Sequence, residues 1–161
     1  MNNSDELAVK LGEVLSNTGL MLATAESCTG GMIAARVTDV AGSSGWFECA
    51  FITYSNDAKC QMLGVHRDVI DAHGAVSEEV VHQMAEGALA RSTAQVSVAV
   101  SGVAGPDGGS EDKPVGTVWF AWGYGSGSIV TEKRCFDGDR AAVREQTVCH
   151  ALQCIIQRLQ L

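Results

Sequence analysis

Proline is nearly missing from these 161 residues, with only two, and Lys plus Arg number 11 against 19 Asp plus Glu. The first shortage excludes a proline-rich linker between folding units, so a single domain over residues 1–161 is expected. The second argues against a nucleic-acid surface, because a net charge of −8 leaves no basic stripe to track a phosphate backbone. It does not forbid a small anion, which a few N–H groups and one or two cations can hold locally. No apolar run reaches the roughly 20 residues of a membrane span, and no membrane partner is expected. The segment MNNSDELAVKLGEVL is acidic and amphipathic, unlike a secretory signal, which points to the cytoplasm. No C-x-x-C pair occurs among the six cysteines, and Cys149 with Cys154 has neither metal-finger nor redox spacing, so free thiols are expected.

What is present is 46% apolar residues, 19% charged residues and 18 glycines, enough to bury a core and to exclude disorder. Leu7, Leu11, Val14 and Leu15 recur at helical spacing over residues 4–17. LMLATA (20–25) reads as a buried strand, and residues 29–40 return to helical spacing through Met32, Ile33, Val37 and Val40. WFECAFITYS supplies a second strand, and a short helix over 56–63 takes Asn56 or Ser55 as its cap. A helix over 77–91, a third strand over 95–102, a hairpin over 115–125 and 128–136, and a long helix from about 139 to 159 complete the pattern. The expected fold is a three-layer α/β/α sandwich with a mixed, mostly parallel sheet of about five strands. Ligands then bind along the edge holding strand C-termini, and the turns 26–31, 41–45, 54–59 and 101–110 are assigned there. Trp119, Phe120 and Trp122 are assigned mainly to the core, while strand alternation leaves one hairpin face for a homodimer.

The chemistry-bearing residues fall in those turns. ATAESCTGG places Ser27, Cys28 and Thr29 at a strand-to-helix turn, where free N–H groups form an oxyanion hole and Gly30 and Gly31 permit close approach. Ser27 or Thr29 can equally be a helix cap, and Cys28, its pKa lowered by the helix end, is a rival nucleophile. ITYSNDAK puts Tyr54 at a strand end and Lys59 five residues on. A desolvated, neutral lysine can take a serine proton with a tyrosine relaying it, though an isolated Tyr–Lys pair is usually an ordinary surface feature. The loop SGVAGPDGGSEDKPVG matches no nucleotide fingerprint, and FDGDR sets Arg140 at a helix start, where a guanidinium can grip an anion.

TAESCTGG, AGSSGWFECAFITYSNDAK, GAVSEEVV, VSGVAGPDGG, KPVGTVWFA and FDGDR, in unbroken order from about residue 5 to 158, together resemble the CinA C-terminal domain family. The likeness is to its stand-alone members, which are nicotinamide-nucleotide amidases; the nucleotide pyrophosphate hydrolysis associated with the additional N-terminal domain of longer relatives is not expected here. The resemblance implies hydrolysis of nicotinamide mononucleotide to nicotinate mononucleotide and ammonia in pyridine-nucleotide recycling, without metal or cofactor. It implies a nucleophile with tyrosine and lysine partners, landing on Ser27, Tyr54 and Lys59. Thr29, Gly30, Gly31, Ser44, Ser101, Gly102, Gly105 and Arg140 are its expected substrate-pocket positions, with Arg140 and the 101–110 loop assigned to phosphate and ribose. Two alternatives stay open: a cysteine amidohydrolase using Cys28, and a non-catalytic pyridine-nucleotide-binding module.

Overall fold

A computed structural model describes residues 3–160. In chain order the elements are α1 (Ser4–Thr18), β1 (Leu22–Glu26), α2 (Met32–Thr38), a 3₁₀ turn (Ser43–Gly45), β2 (Phe47–Ile52), α3 (Asn56–Leu63) and α4 (Arg67–His73). They continue with α5 (Glu78–Ala90), β3 (Val96–Gly102), β4 (Thr117–Tyr124), β5 (Ser128–Cys135) and α6 (Arg140–Leu159). The caps follow sequence chemistry: the Ser55 hydroxyl accepts from the Ala58 N–H at 3.0 Å to start α3, and Gly19 closes α1 at φ 70°. Only α4 was not expected from the sequence. It is seven residues long with Ile70 alone buried, too short to show a helical period.

The strand order is β2-β1-β3-β4-β5. β1 pairs parallel with both β2 and β3, whereas β3–β4 and β4–β5 are antiparallel, so β4 alone runs against the other four. The expected mixed sheet is therefore present, with β3 central as its apolar sequence demands.

Strand alternation divides the core in two. Leu22, Val96, Val98, Val100, Val118, Phe120 and Trp122 point to one face and are covered by α1, α2 and α6. Ala23, Ala25, Ala99 and Ala121 point to the other and are covered by α5 with Leu63, Val65 and Ile70. The second face is lined by small side chains, so α5 lies close to the sheet, and the Ser97 hydroxyl donates to the Ala85 carbonyl at 2.9 Å. Phe120 and Trp122 are buried and Trp119 is half-buried, consistent with their assignment mainly to the core. Among the described residues, no helix is long and apolar enough to cross a membrane.

This topology gathers the C-terminal ends of β1, β2 and β3 at one edge. The turns at 26–31 and 54–59 leave strands there, and the 101–110 loop begins there. The 41–45 segment does not: it enters β2 rather than leaving it, which puts it at the opposite edge and corrects the expectation for that turn.

Candidate active site

β1 ends on Glu26, whose side chain alternates onto the α2 face, while the following Ser27 faces the α3–α5 side. Glu26 is fully buried and organises the turn. Its Oε1 accepts from the Thr29 hydroxyl at 2.6 Å and from the N–H groups of Gly31 at 3.1 Å and Ile33 at 3.0 Å. Its Oε2 accepts from the Ala34 N–H at 3.0 Å and the Thr24 hydroxyl at 3.4 Å. A carboxylate on the free N–H groups of a helix start meets both their hydrogen-bonding need and the helix dipole. Neither Ser27 nor Thr29 is the cap; Glu26 takes that role, leaving the serine hydroxyl for other work. From the other side, Arg144 of α6 donates through Nε to the Cys28 carbonyl and through Nη2 to the Thr29 carbonyl, both at 3.1 Å. Gly30 sits between these supports at φ 57°, a left-handed conformation that suits glycine.

Lys59 reaches the Ser27 hydroxyl from the second turn of α3. Its Nζ lies 3.0 Å from Ser27 Oγ, 3.0 Å from the Thr53 carbonyl and 3.3 Å from the Tyr54 carbonyl. The lysine is only 1% exposed and, among the described residues, forms no ion pair with a carboxylate. Burial therefore pulls its pKa below the ordinary lysine value, outweighing a small opposing influence of the Cys28 and Cys60 thiols. A neutral amine has two N–H donors and one lone pair. If Lys59 is in that form and its two donors go to the carbonyls, its lone pair faces the Ser27 hydroxyl. Among the described residues the N–H groups of Cys28 and Thr29 donate to no backbone carbonyl, and both belong to the turn that follows Ser27.

The cleft has a volume of about 270 Å³, close to the lower end of small-molecule sites. Of the residues expected from the sequence it is lined by Ser27, Tyr54, Lys59, Ser101, Gly102 and Arg140. Thr29, Gly30 and Gly31 instead build the turn behind Ser27, and the Gly105 carbonyl is held by Arg140 Nη1 at 2.9 Å. Ser44 is exposed on the 3₁₀ turn that leads into β2, at the far sheet edge, and is not brought to the cleft. Tyr54 serves Lys59 through its backbone carbonyl; its ring is 65% exposed, with the hydroxyl 3.4 Å from Arg140 Nη2. The expected lowering of the Cys28 pKa is reversed, because burial, reinforced by the Glu26 charge, pushes the thiol up to about 11. Reasoning from sequence missed Asn56, Ala75 and Val76, which also line the cleft, and Arg144, and it placed Glu26 in the turn without assigning it a role. Ala75 and Val76 lie inside the GAVSEEVV motif, a signal that was available; Arg144 on a long polar helix face carried none.

Fold and site together define an α/β/α protein carrying a buried serine–lysine pair in a polar cleft at the C-terminal edge of its parallel strands. The chain belongs to the CinA C-terminal domain family, which it matches over residues 4–159. It is 54% identical over 153 residues to the nicotinamide-nucleotide amidohydrolase PncC of Escherichia coli strain K12, covering 95% of this chain and 93% of that protein. The Pseudomonas putida protein of the same name is 57% identical over 151 residues, 94% of each chain. Among solved structures, the competence/damage inducible protein CihA from Agrobacterium tumefaciens superposes with a TM-score of 0.95 at 44% identity, covering 100% of this chain and 98% of that one.

Proposed function

We propose that this protein is a nicotinamide-nucleotide amidase that hydrolyses the carboxamide of nicotinamide mononucleotide to nicotinate mononucleotide and ammonia, in the recycling of pyridine nucleotides. The observation that carries the reading is the buried Lys59 amine 3.0 Å from Ser27 Oγ, in a chain more than half identical to amidohydrolases of that name. In the proposed reaction Lys59 accepts the Ser27 proton and the alkoxide attacks the carboxamide carbon. The N–H groups of Cys28 and Thr29 stabilise the oxyanion of the tetrahedral adduct. Lys59 returns its proton to the leaving nitrogen, the C–N bond breaks, and ammonia departs from a nicotinoyl–Ser27 ester. Lys59 then takes a proton from water, whose hydroxide cleaves the ester; the carboxylate product leaves and Ser27 recovers its proton.

In this reading Tyr54 differs from the relay implied by the family resemblance. Its carbonyl orients the amine, and its hydroxyl, beside Arg140, belongs with the substrate-binding groups. Arg140, Asn56 and the start of the 101–110 loop are assigned to the phosphate and ribose, and Ala75 with Val76 to the flat pyridine ring. The cysteine alternative loses support from the raised Cys28 pKa. Ammonia release from nicotinamide mononucleotide by Ser27→Ala and Lys59→Ala proteins tests the proposal. Both should fall at least about 100-fold, the lower bound of general-base assistance, while substrate binding to Ser27→Ala persists. Wild-type turnover by Ser27→Ala would overturn the covalent scheme, and binding without ammonia from the wild type would favour the non-catalytic module.

A further inference from the structure

The cluster with no part in the cleft is Glu132, His150 and Cys154, whose ligand atoms all lie within 4.8 Å of one another. His150 and Cys154 are one helical turn apart on α6, and Glu132 faces them from β5. The imidazole is oriented by aromatic neighbours, with centroids 4.8 Å from Phe120, 5.8 Å from Trp122 and 6.3 Å from Phe136. Its Nε2 touches Glu132 Oε1 and lies 3.5 Å from Cys154 Sγ. Zinc–sulfur and zinc–nitrogen bonds of about 2.3 and 2.05 Å at a tetrahedral angle separate the two ligand atoms by roughly 3.5–3.6 Å. The cysteine–histidine spacing already has that value. The Glu132 side chain, 40% exposed, has room to swing its carboxylate back and open the centre.

We propose that Glu132, His150 and Cys154 form a three-ligand site for a divalent cation of the zinc class. A thiolate, a neutral imidazole and a carboxylate suit that class, and their two negative charges balance a dication. A cavity of about 400 Å³ lined by Glu132 and Cys154 adjoins the cluster and supplies an entry path and room for a water ligand. The site ties edge strand β5 to α6. Ten residues, or about 15 Å of helix, separate His150 from Arg140, so the metal takes no part in the amidase reaction.

Chelator-treated, reduced full-length protein should take up one Zn²⁺ per chain in equilibrium dialysis. Its melting temperature should rise by about 5–10 °C at a free Zn²⁺ concentration a hundredfold above Kd. Co²⁺ should give a thiolate-to-metal charge-transfer band in the near ultraviolet. Cys154→Ser should abolish that band, Glu132→Gln should keep it while weakening affinity by at least roughly tenfold, and Cys149→Ser should leave both unchanged. Circular dichroism confirms that each variant is folded before titration. Failure of the wild type to take up stoichiometric metal, a band that survives Cys154→Ser, or one lost in Cys149→Ser would overturn the proposal.

Discussion

Replacing Glu26 with glutamine tests whether this carboxylate holds the turn that follows Ser27. The exchange keeps size and shape while replacing one of two acceptor oxygens with an NH₂ group. In the better orientation the amide oxygen still faces Thr29, Gly31 and Ile33, and the NH₂ meets the Ala34 N–H, donor against donor. Three bonds fall from charged to neutral strength, about 1 kcal/mol each, and one buried N–H loses its acceptor, about 1–3 kcal/mol. Relief from burying a full charge offsets part of this sum. The expected net loss is about 3 kcal/mol, a large share of the 5–15 kcal/mol typical of a folded domain. For a chain of this size it lowers Tm by about 6–12 °C. Thermal and urea melts of both proteins measure it, and because the carboxylate is fully buried the difference should persist in 1 M salt. A Glu26→Gln protein within about 0.5 kcal/mol of wild type, the range of an ordinary surface substitution, would refute the role assigned to this residue.

Four further outcomes are expected. Because burial lowers the Lys59 pKa, amidase activity should rise with pH as the free amine accumulates and level off above that pKa; a kcat/KM profile with no rising limb on the acid side would contradict the general-base role. Between the folded-state pKa and the ordinary lysine value only the unfolded chain holds the proton, so stability should also rise with pH there, and Lys59→Met should remove that slope. Cys28→Ala should retain most ammonia release, and alkylation of native protein at pH 7 should leave Cys28 unlabelled, since a thiol at about 11 has only about one part in ten thousand as thiolate; labelling there with loss of activity would revive the cysteine alternative. Arg144→Met should lower kcat about 10- to 100-fold with KM little changed, because it frees the turn that aims Ser27 without touching the cleft; a change confined to KM would place Arg144 in substrate binding instead.

Much of this architecture was readable from residue patterns. The α3 limits of 56 and 63 follow from a serine cap and a terminal glycine, and β3 reads as central because no charged residue and only the small Ser97 interrupts the apolar run VSVAV. The family resemblance, not the local pattern alone, pointed to Ser27 and Lys59, whose side chains lie 3.0 Å apart. What escaped the sequence depends on distance or on the backbone. Tyr54 draws attention by its phenol, yet its carbonyl is the atom that meets Lys59. Arg144 is separated from Cys28 by 116 positions. Ser44 is found outside the cleft because the direction of chain entry into β2 decides its edge, and composition carries no direction. Cys28 stands at a helix start, but its thiol is packed among core residues, so desolvation dominates the dipole.

The clamp of α6 on the 27–30 turn also has a meaning for biosynthesis. Serine and amine are both encoded within the first 60 residues, whereas the arginines that brace the turn and border the cleft arrive at positions 140 and 144. A nascent chain can make β1, β2 and α3 long before the helix that braces them has left the ribosome, and contacts across so many residues form slowly. On the proposed reading reactivity is thereby deferred: Ser27 is held in its working orientation only after α6 has been made and has docked on the turn.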